Sequence, residues 1–356
     1  MSRYSAEATP KLSGHGPPAG RFSPLLLPAS WVYGGVALAR RQWWASRARR
    51  LERPVVSVGN VTCGGTGKTP TVEMMARDLL RGGCKPAIVS RGYGARGLAR
   101  GEGPQGNDEF HVLRSNLPEV PHFQGRDRYT TGLRALAAGA NVIVLDDGFQ
   151  HVKLHRDLDL VLVDAIQPFG YGRVLPAGLL REPLGVLSRA ELFAVTRCDK
   201  VDARKLSTLA AYLRNRFPGK PVIYVDTKPV EWVALSGEKE LPPSLGGRRV
   251  LAFCGIGNPE AFRRQLLELD LKLEGLVCFR DHHRYTDSDI GALHSRAREL
   301  GVEEVVMTQK DAVKIESSQL TARWKFLRVE CRIVRGQDAY DAALQRMLEA
   351  AKKHAG

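Results

Sequence analysis

Apolar positions along the chain fall into two series of short runs, with one longer run ahead of them. Residues 54–58, 86–90, 142–145, 158–163 and 192–196 are short apolar clusters, and helix-like segments over 69–81 and 129–138 lie between some of them. Strands alternating with helices imply a largely parallel sheet. A second series follows at 250–253, 276–279, 304–308 and 324–329. Between the series, residues 221–247 hold short strands and the Gly/Pro-rich stretch Leu241-Pro-Pro-Ser-Leu-Gly-Gly, which reads as a linker. The pattern predicts an α/β chain: a larger parallel-sheet domain over 51–220, a short β linker over 221–247, and a smaller α/β domain over 248–356.

The longer apolar run comes first. Residues 22–39 carry no charge, a length near the lower limit for a membrane span. Pro24 and Pro28 should break its first part, and Gly34 and Gly35 should weaken the rest. Trp43, Trp44, Arg40, Arg41, Arg47, Arg49 and Arg50 follow, and aromatics with arginines beside an apolar helix suit a membrane interface. A helix packed on the protein's own core and a true span are the alternatives. Residues 21–50 are thus expected to form an apolar, basic, membrane-associated helix. Residues 1–20, rich in Gly, Pro, Ser and Ala, are expected to be a disordered tail.

Composition adds limits. The chain has 356 residues, enough for one large domain or two ordinary ones, and 43% hydrophobic with 26% charged residues excludes wholesale disorder. The net charge of +15 asks for an anionic partner, whether nucleic acid, phosphorylated metabolite or acidic membrane. Residues 1–53 hold nine Arg or Lys against two Glu, so about half of that excess lies beside the apolar run. Six scattered cysteines with no C-x-x-C pair exclude a zinc knuckle and argue against a disulfide scaffold.

The strongest chemical signal is Val55-Val-Ser-Val-Gly59-Asn-Val-Thr62-Cys-Gly64-Gly65-Thr66-Gly67-Lys68-Thr69-Pro70. A β-run feeds a glycine-rich turn, and Gly-Lys-Thr opens a helix. Glycines let backbone N–H groups converge on phosphate oxygens, and the helix N-terminus adds partial positive charge. ATP is therefore expected on Thr62, Cys63, Gly64, Gly65, Thr66, Gly67, Lys68 and Thr69, with Lys68 at the β/γ-phosphates and the Thr69 hydroxyl on Mg²⁺. The strict pattern places Gly where Thr62 stands, and Gly64 and Gly65 are expected to supply the flexibility instead. A later apolar run ends in Asp146-Asp147-Gly148, a pair of carboxylates suited to the same Mg²⁺. Either can face the metal, because neighbours on a strand point to opposite faces.

Taken together, these segments resemble the tetraacyldisaccharide 4′-kinase family, the lipid A kinases of Gram-negative bacteria. The resemblance rests on Gly59 to Pro70, Ser90-Arg-Gly-Tyr-Gly94, Asp146-Asp-Gly-Phe-Gln-His151, Leu175-Pro-Ala-Gly-Leu-Leu-Arg-Glu-Pro183, Phe253-Cys-Gly-Ile-Gly-Asn-Pro259, Asp281-His-His283 and Thr308-Gln-Lys-Asp311, in that order. It implies two α/β/α domains joined by a small β linker, with the active site in the cleft. It implies phosphorylation of the 4′-hydroxyl of a tetraacyl glucosamine disaccharide 1-phosphate by ATP and Mg²⁺. It also implies a peripheral protein at the cytoplasmic face of the bacterial inner membrane, touching its phospholipid surface.

A kinase must orient an acceptor hydroxyl and accept its proton. The resemblance makes Asp108 that base and His282 its partner, in preference to His283. Asn107 and Phe110 depart from the family's Gly-Asp-Glu-Pro pattern, while Asp108 and Glu109 remain. Arg91, Tyr93, Glu109, Gln150, His151, Arg181, Glu182 and Lys310 are expected to contact substrate. Two other readings compete. A nucleotide-hydrolysing switch or partition-type ATPase would use the same loop, and Thr308-Gln-Lys-Asp311 loosely resembles a guanine-reading motif without its Asn. A nucleic-acid binder would use the charge, but no recognisable motif for one appears. No required protein partner is evident in the sequence.

Overall fold

The strand runs are buried on both faces, which is why they read as unbroken apolar stretches. The computed structural model describes residues 23–92, 107–302, 304–315 and 323–353; the tail expected over 1–20, and Tyr93, lie outside them. In chain order the elements are α1 (Ser23–Ala45), β1 (Val55–Asn60), α2 (Lys68–Arg81), β2 (Pro86–Ser90), α3 (Asp108–Asn116), β3 (His122–Gln124), α4 (Arg128–Ala137), β4 (Val142–Asp146), β5 (Leu158–Asp164), β6 (Leu192–Thr196), α5 (Ala203–Arg216) and β7 (Val222–Ala234). Then come β8 (Lys239–Glu240), β9 (Arg249–Cys254), α6 (Pro259–Glu268), β10 (Lys272–Cys278), α7 (Asp287–Glu299), β11 (Glu304–Thr308), α8 (Gln309–Ala312), β12 (Trp324–Arg335) and α9 (Gln337–Lys353).

The described residues divide into two compact units, one holding those from 23 to 227 together with those from 331 to 353, the other holding those from 228 to 330. In the first unit the strands run β6-β5-β1-β4-β2-β3, all parallel, with the start of β7 beside β6. The strand order reverses at β1, which lies between β4 and β5, and ligands bind outside the carboxyl ends of strands at such a point. In the second unit β10-β9-β11-β12 are parallel, and β8 pairs antiparallel with the end of β7. Trp232, Ala252, Cys254, Phe262 and Leu266 pack on one face of that sheet. Leu251, Phe253, Ile290, Met307 and Trp324 pack on the other.

Compactness divides the chain differently from the sequence pattern. Residues 221–247, read as a linker, form β7, β8 and the turn after them, and the boundary between the units falls inside β7. The chain re-enters the first unit within β12, so α9 belongs there and not with the domain expected over 248–356. Tyr340, Ala343, Met347 and Ala351 form one stripe of α9 and share a core with Val72, Met75, Ala76 and Leu79 of α2. The Tyr340 hydroxyl donates to Asp78 Oδ2 at 2.8 Å. An amphipathic pattern marks α9 as a helix without saying which core its apolar face joins.

α1 runs unbroken for 23 residues, with Pro28 inside it, and is not interrupted where the prolines predicted a break. Pro24 falls in the first turn, where its missing N–H has no helical acceptor to lose. The helix is tied down two residues beyond Pro28: Ser30 Oγ accepts from Ala177 N at 2.9 Å and lies 3.0 Å from the Val174 carbonyl. Ser30 and Ala37 are buried, and a Cβ on Gly34 would lie 3.4 Å from Val174. Much of the remaining surface is exposed: Leu25 is 74% exposed, Trp31 73%, Val32 67% and Val36 63%. No helix among the described residues is long and apolar enough to cross a membrane.

Tyr340→Ala should cost the first unit about 3–5 kcal/mol, the usual range for removing a buried aromatic side chain. Urea unfolding followed by circular dichroism, with a nucleotide-binding signal read in parallel, checks this. Loss of nucleotide binding at lower urea than in the parent chain is the expected result.

Candidate active site

The phosphate loop starts where β1 ends. A Cβ on Gly59 would stand 2.7 Å from Phe149 Cβ and 2.9 Å from Phe149 N, so only glycine lets the turn after β4 come this close. Gly148 N donates to Val58 O across the gap at 3.3 Å. Gly64 and Gly67 take φ values of 107° and 86°, the left-handed region that glycine enters freely. Thr62, the departure from the strict pattern, needs no such freedom: it pairs antiparallel with Leu180. Lys68 and Thr69 then open α2, whose N-terminus carries no side-chain cap, an arrangement suited to an anion.

The segment 179–181 braces this loop. Cys63 N donates to Leu179 O at 2.8 Å, and Arg181 N donates to Val61 O at 2.8 Å. The brace delivers the Arg181 guanidinium to Asp147, where Nη1 donates to both carboxylate oxygens at 2.7 and 3.0 Å. Lys68 Nζ lies 3.8 Å from Asp147 Oδ1 and donates to Asn60 Oδ1 at 3.4 Å. Gln150 accepts from Arg181 at 3.2 Å and donates to Asn60 O at 2.7 Å. Burial pushes the Asp147 carboxyl up, but Lys68 and Arg181 outweigh it and hold the group below the usual carboxylate range. Two cations, one carboxylate and a glycine-rich loop therefore converge at the carboxyl ends of β1 and β4.

Thr69 and Asp146 are buried close to the same strand ends; in the register of the sheet Asp146 stands opposite Val58 of β1. No group of three or more His, Cys, Asp or Glu among the described residues forms a ready metal cage. Mg²⁺ keeps waters and phosphate oxygens and needs only one or two protein oxygens, so Thr69 with Asp146 and Asp147 fits it.

Asp108 and Glu109 form the first turn of α3, capped by Asn107, whose side chain accepts from Phe110 N at 3.0 Å. Gln124, ending β3, donates to Asn107 Oδ1 and to Ser90 Oγ, and His122 lies 2.9 Å from Ser90 Oγ. Asn107 thus replaces the family's glycine with a helix cap. Arg91 follows β2 directly. His151 is held neutral by burial, with its pKa lowered to about 4. Glu182 is buried beside Arg189, whose guanidinium sits 4.3 Å from the Phe149 ring and donates to Phe149 O at 3.0 Å. Burial pushes the Glu182 carboxyl up against the pull of Arg189, Arg41 and Arg40.

His282 and Lys310 belong to the second unit. His283 lies 3.1 Å from Asp289 and stacks on Phe279 at 4.7 Å. His282, at φ 57°, keeps 59% of its side chain exposed, and its N–H donates to Gly255 O at 3.2 Å. Asp311 of the Thr-Gln-Lys-Asp segment is fully buried and accepts from Gly255 N, Tyr285 Oη, Lys314 Nζ and Thr308 Oγ1. Its carboxylate serves the fold, which removes the likeness to a base-reading motif.

Sequence reasoning missed Asn60, Gln124 and Arg128. Each ends a strand or opens the helix that follows, the position where α/β sheets gather their ligands, and that was the available signal. Arg128 is buried at the start of α4, and its charge acts on both Asp147 and His151.

A sequence profile described as "Tetraacyldisaccharide-1-P 4′-kinase" matches residues 22–349. The tetraacyldisaccharide 4′-kinase of Pelobacter propionicus is 38% identical over 321 residues, covering 85% of this chain and 86% of that protein. That of an Anaeromyxobacter species is 38% identical over 346 residues, covering 91% and 92%. Among solved structures, the "apo" form of LpxK from Aquifex aeolicus in complex with ATP superimposes with a TM-score of 0.74 at 29% identity, covering 92% of this chain and 99% of that one. These matches do not favour a switch or partition-type ATPase. With the phosphate loop, the braced Asp147 and relatives of matching length all in agreement, the chain belongs to the tetraacyldisaccharide-1-P 4′-kinase family and is an ATP-using kinase.

Proposed function

We propose that the chain transfers the γ-phosphate of ATP to the 4′-hydroxyl of a tetraacyl glucosamine disaccharide 1-phosphate while docked on an anionic phospholipid surface. The observation that carries this reading is the convergence of Lys68 and Arg181 on Asp147 at the mouth of the phosphate loop. Backbone N–H groups over Gly64, Gly65, Thr66 and Gly67 hold the phosphates, Thr62 and Cys63 carry the braced start of the loop because the Cys63 N–H is spent on Leu179, and Lys68 neutralises the phosphate charge. Asp147 keeps both cations in place before nucleotide arrives. A Mg²⁺ held by Thr69 with Asp146 and Asp147 would supply charge neutralisation on the phosphate oxygens.

Asp108 accepts the proton of the acceptor hydroxyl, from a helix terminus fixed by Asn107 and Gln124. His282 is its proposed partner by the family resemblance, in preference to His283, which pairs with Asp289. Arg91, Tyr93, Glu109, Gln150, Arg181 and Lys310 are assigned to substrate contact. Neutral His151 suits a hydrogen bond better than a charge pair. Glu182 suits a positioning role through Arg189 and Phe149.

The bare apolar face of α1 supports docking at the cytoplasmic face of the inner membrane. Arg47 stacks on Trp43 at 3.9 Å and Lys153 on Trp44 at 3.8 Å, an interfacial mixture of aromatics and cations. Arg49 and Arg50 are engaged by Asp127 and Asp157, so apolar contact contributes more to docking than the +15 charge alone suggests.

Asp108→Asn should lower kcat by roughly 10²–10⁴-fold, the usual worth of a general base, while leaving ATP affinity nearly unchanged. Phosphate transfer from labelled ATP to the disaccharide lipid in detergent micelles measures it. Near-parental turnover would remove Asp108 as the base. Separately, Trp31→Glu with Val36→Glu should abolish flotation with anionic vesicles without changing the melting temperature. Undiminished flotation would contradict docking through α1.

A further inference from the structure

Two cysteines of the second unit stand side by side. Cys254 ends β9, Cys278 ends β10, and the parallel register sets them directly opposite each other. Neighbouring strands lie about 4.8 Å apart, which falls inside the roughly 4.4–6.8 Å Cα separation that a disulfide spans. Both side chains share a face. Ala252, Cys254 and Leu276 belong to one core cluster, and Cys278 follows Leu276 by one period of the pleat. With the two residues paired in register, each thiol acts on the titration of the other.

Their reactivities differ in a useful way. Cys278 is exposed and Cys254 is buried. The neighbouring Cys254 thiol draws the Cys278 thiol down, against burial and the Glu260 carboxylate on α6. Cys278 and burial push the Cys254 thiol up. Cys278 is thus the thiolate that meets a reagent, and Cys254 waits behind it to resolve the product. Burial raises Cys198 to about 12 and Cys331 to about 11, which makes both poor competitors.

The pair is joined to the segment that carries His282. Phe279 N donates to Cys254 O at 2.8 Å, and His282 N donates to Gly255 O at 3.2 Å. The chain from 278 to 282 therefore hangs on residues 254 and 255.

We propose that Cys254 and Cys278 are an oxidant-reactive dithiol, which a peroxide converts to a disulfide that slows phosphoryl transfer by restraining the His282 segment. The chemistry balances with hydrogen peroxide as oxidant. The Cys278 thiolate attacks one peroxide oxygen, the O–O bond breaks, and the departing hydroxide takes the thiol's former proton to become water. Cys254 sulfur then attacks Cys278 sulfur; the S–S bond forms, the S–O bond breaks, and the second hydroxide leaves as water with the Cys254 proton. Each sulfur loses one electron and the peroxide gains two. A dithiol reductant reverses the change. The effect on turnover rests on the part assigned to His282 above.

The test uses the full chain treated with hydrogen peroxide, alkylated under denaturing conditions, digested and weighed. A linked peptide pair holding Cys254 and Cys278, two hydrogens lighter than its parts and separated by dithiothreitol, is expected. Transfer should fall roughly tenfold or more, as small displacements of positioning groups do, and recover on reduction. Cys278→Ser should keep its transfer through the same treatment. Absence of the linked pair would overturn the proposal, as would a linked pair with unchanged transfer. Equal loss in Cys278→Ser would overturn the proposal, since the sensitivity would then lie outside this pair. Untreated His282→Ala is assayed alongside; parental turnover there would refute the reading of His282, whatever the fate of the thiols.

Discussion

The site depends on how closely the turn after β4 can approach the end of β1. That approach exists because residue 59 has no side chain: any Cβ there would strike the backbone and Cβ of Phe149. With the two strand ends in contact, Gly148 bonds back to β1, Gln150 bonds to Asn60, and Asp147 comes within reach of Lys68. The phosphate loop and the acidic turn are therefore one construction. The buried Glu182–Arg189 pair supports it from behind, since Arg189 reaches the carbonyl and ring of Phe149.

The electrostatics follow from that contact. Arg181 reaches Asp147 only because residues 179–181 pair with the loop they brace. A half-buried carboxylate shared by an arginine and a lysine fixes two cations that would otherwise repel each other across the opening. It also holds the Lys68 ammonium between Asp147 and Asn60, where an incoming phosphate competes for it without first having to order it. An ion pair of this kind contributes little to net stability; its value here is position.

The phosphate loop was legible because its chemistry is local: a β-run, glycines and Gly-Lys-Thr in a row need no tertiary information. The acidic pair at 146–147 was legible for the same reason, although its division of labour was not. Only the positive φ at Asp147 and the position of Arg181 show which carboxylate meets the cations. Burial hides such facts from sequence. His282 and His283 are adjacent and chemically identical, and packing on Phe279 and Asp289 separates them. α9 is an ordinary amphipathic helix until Tyr340 meets Asp78. The prolines of α1 misled because propensity is a local rule, while Ser30 ties the helix to Val174 and Ala177 from outside it.

The exposed stripe of α1 and the anionic 1-phosphate of the substrate suit a reaction carried out on a lipid surface, with the nucleotide arriving from water. The bond made there is read from the product. Purified protein, ATP, Mg²⁺ and the tetraacyl disaccharide 1-phosphate should yield one product, heavier by a single phosphate. Its new phosphorus resonance should couple to the sugar proton at the 4′ position. Release of free phosphate from ATP at the same rate with and without the lipid, with no bisphosphorylated product, would contradict transfer to the 4′-hydroxyl.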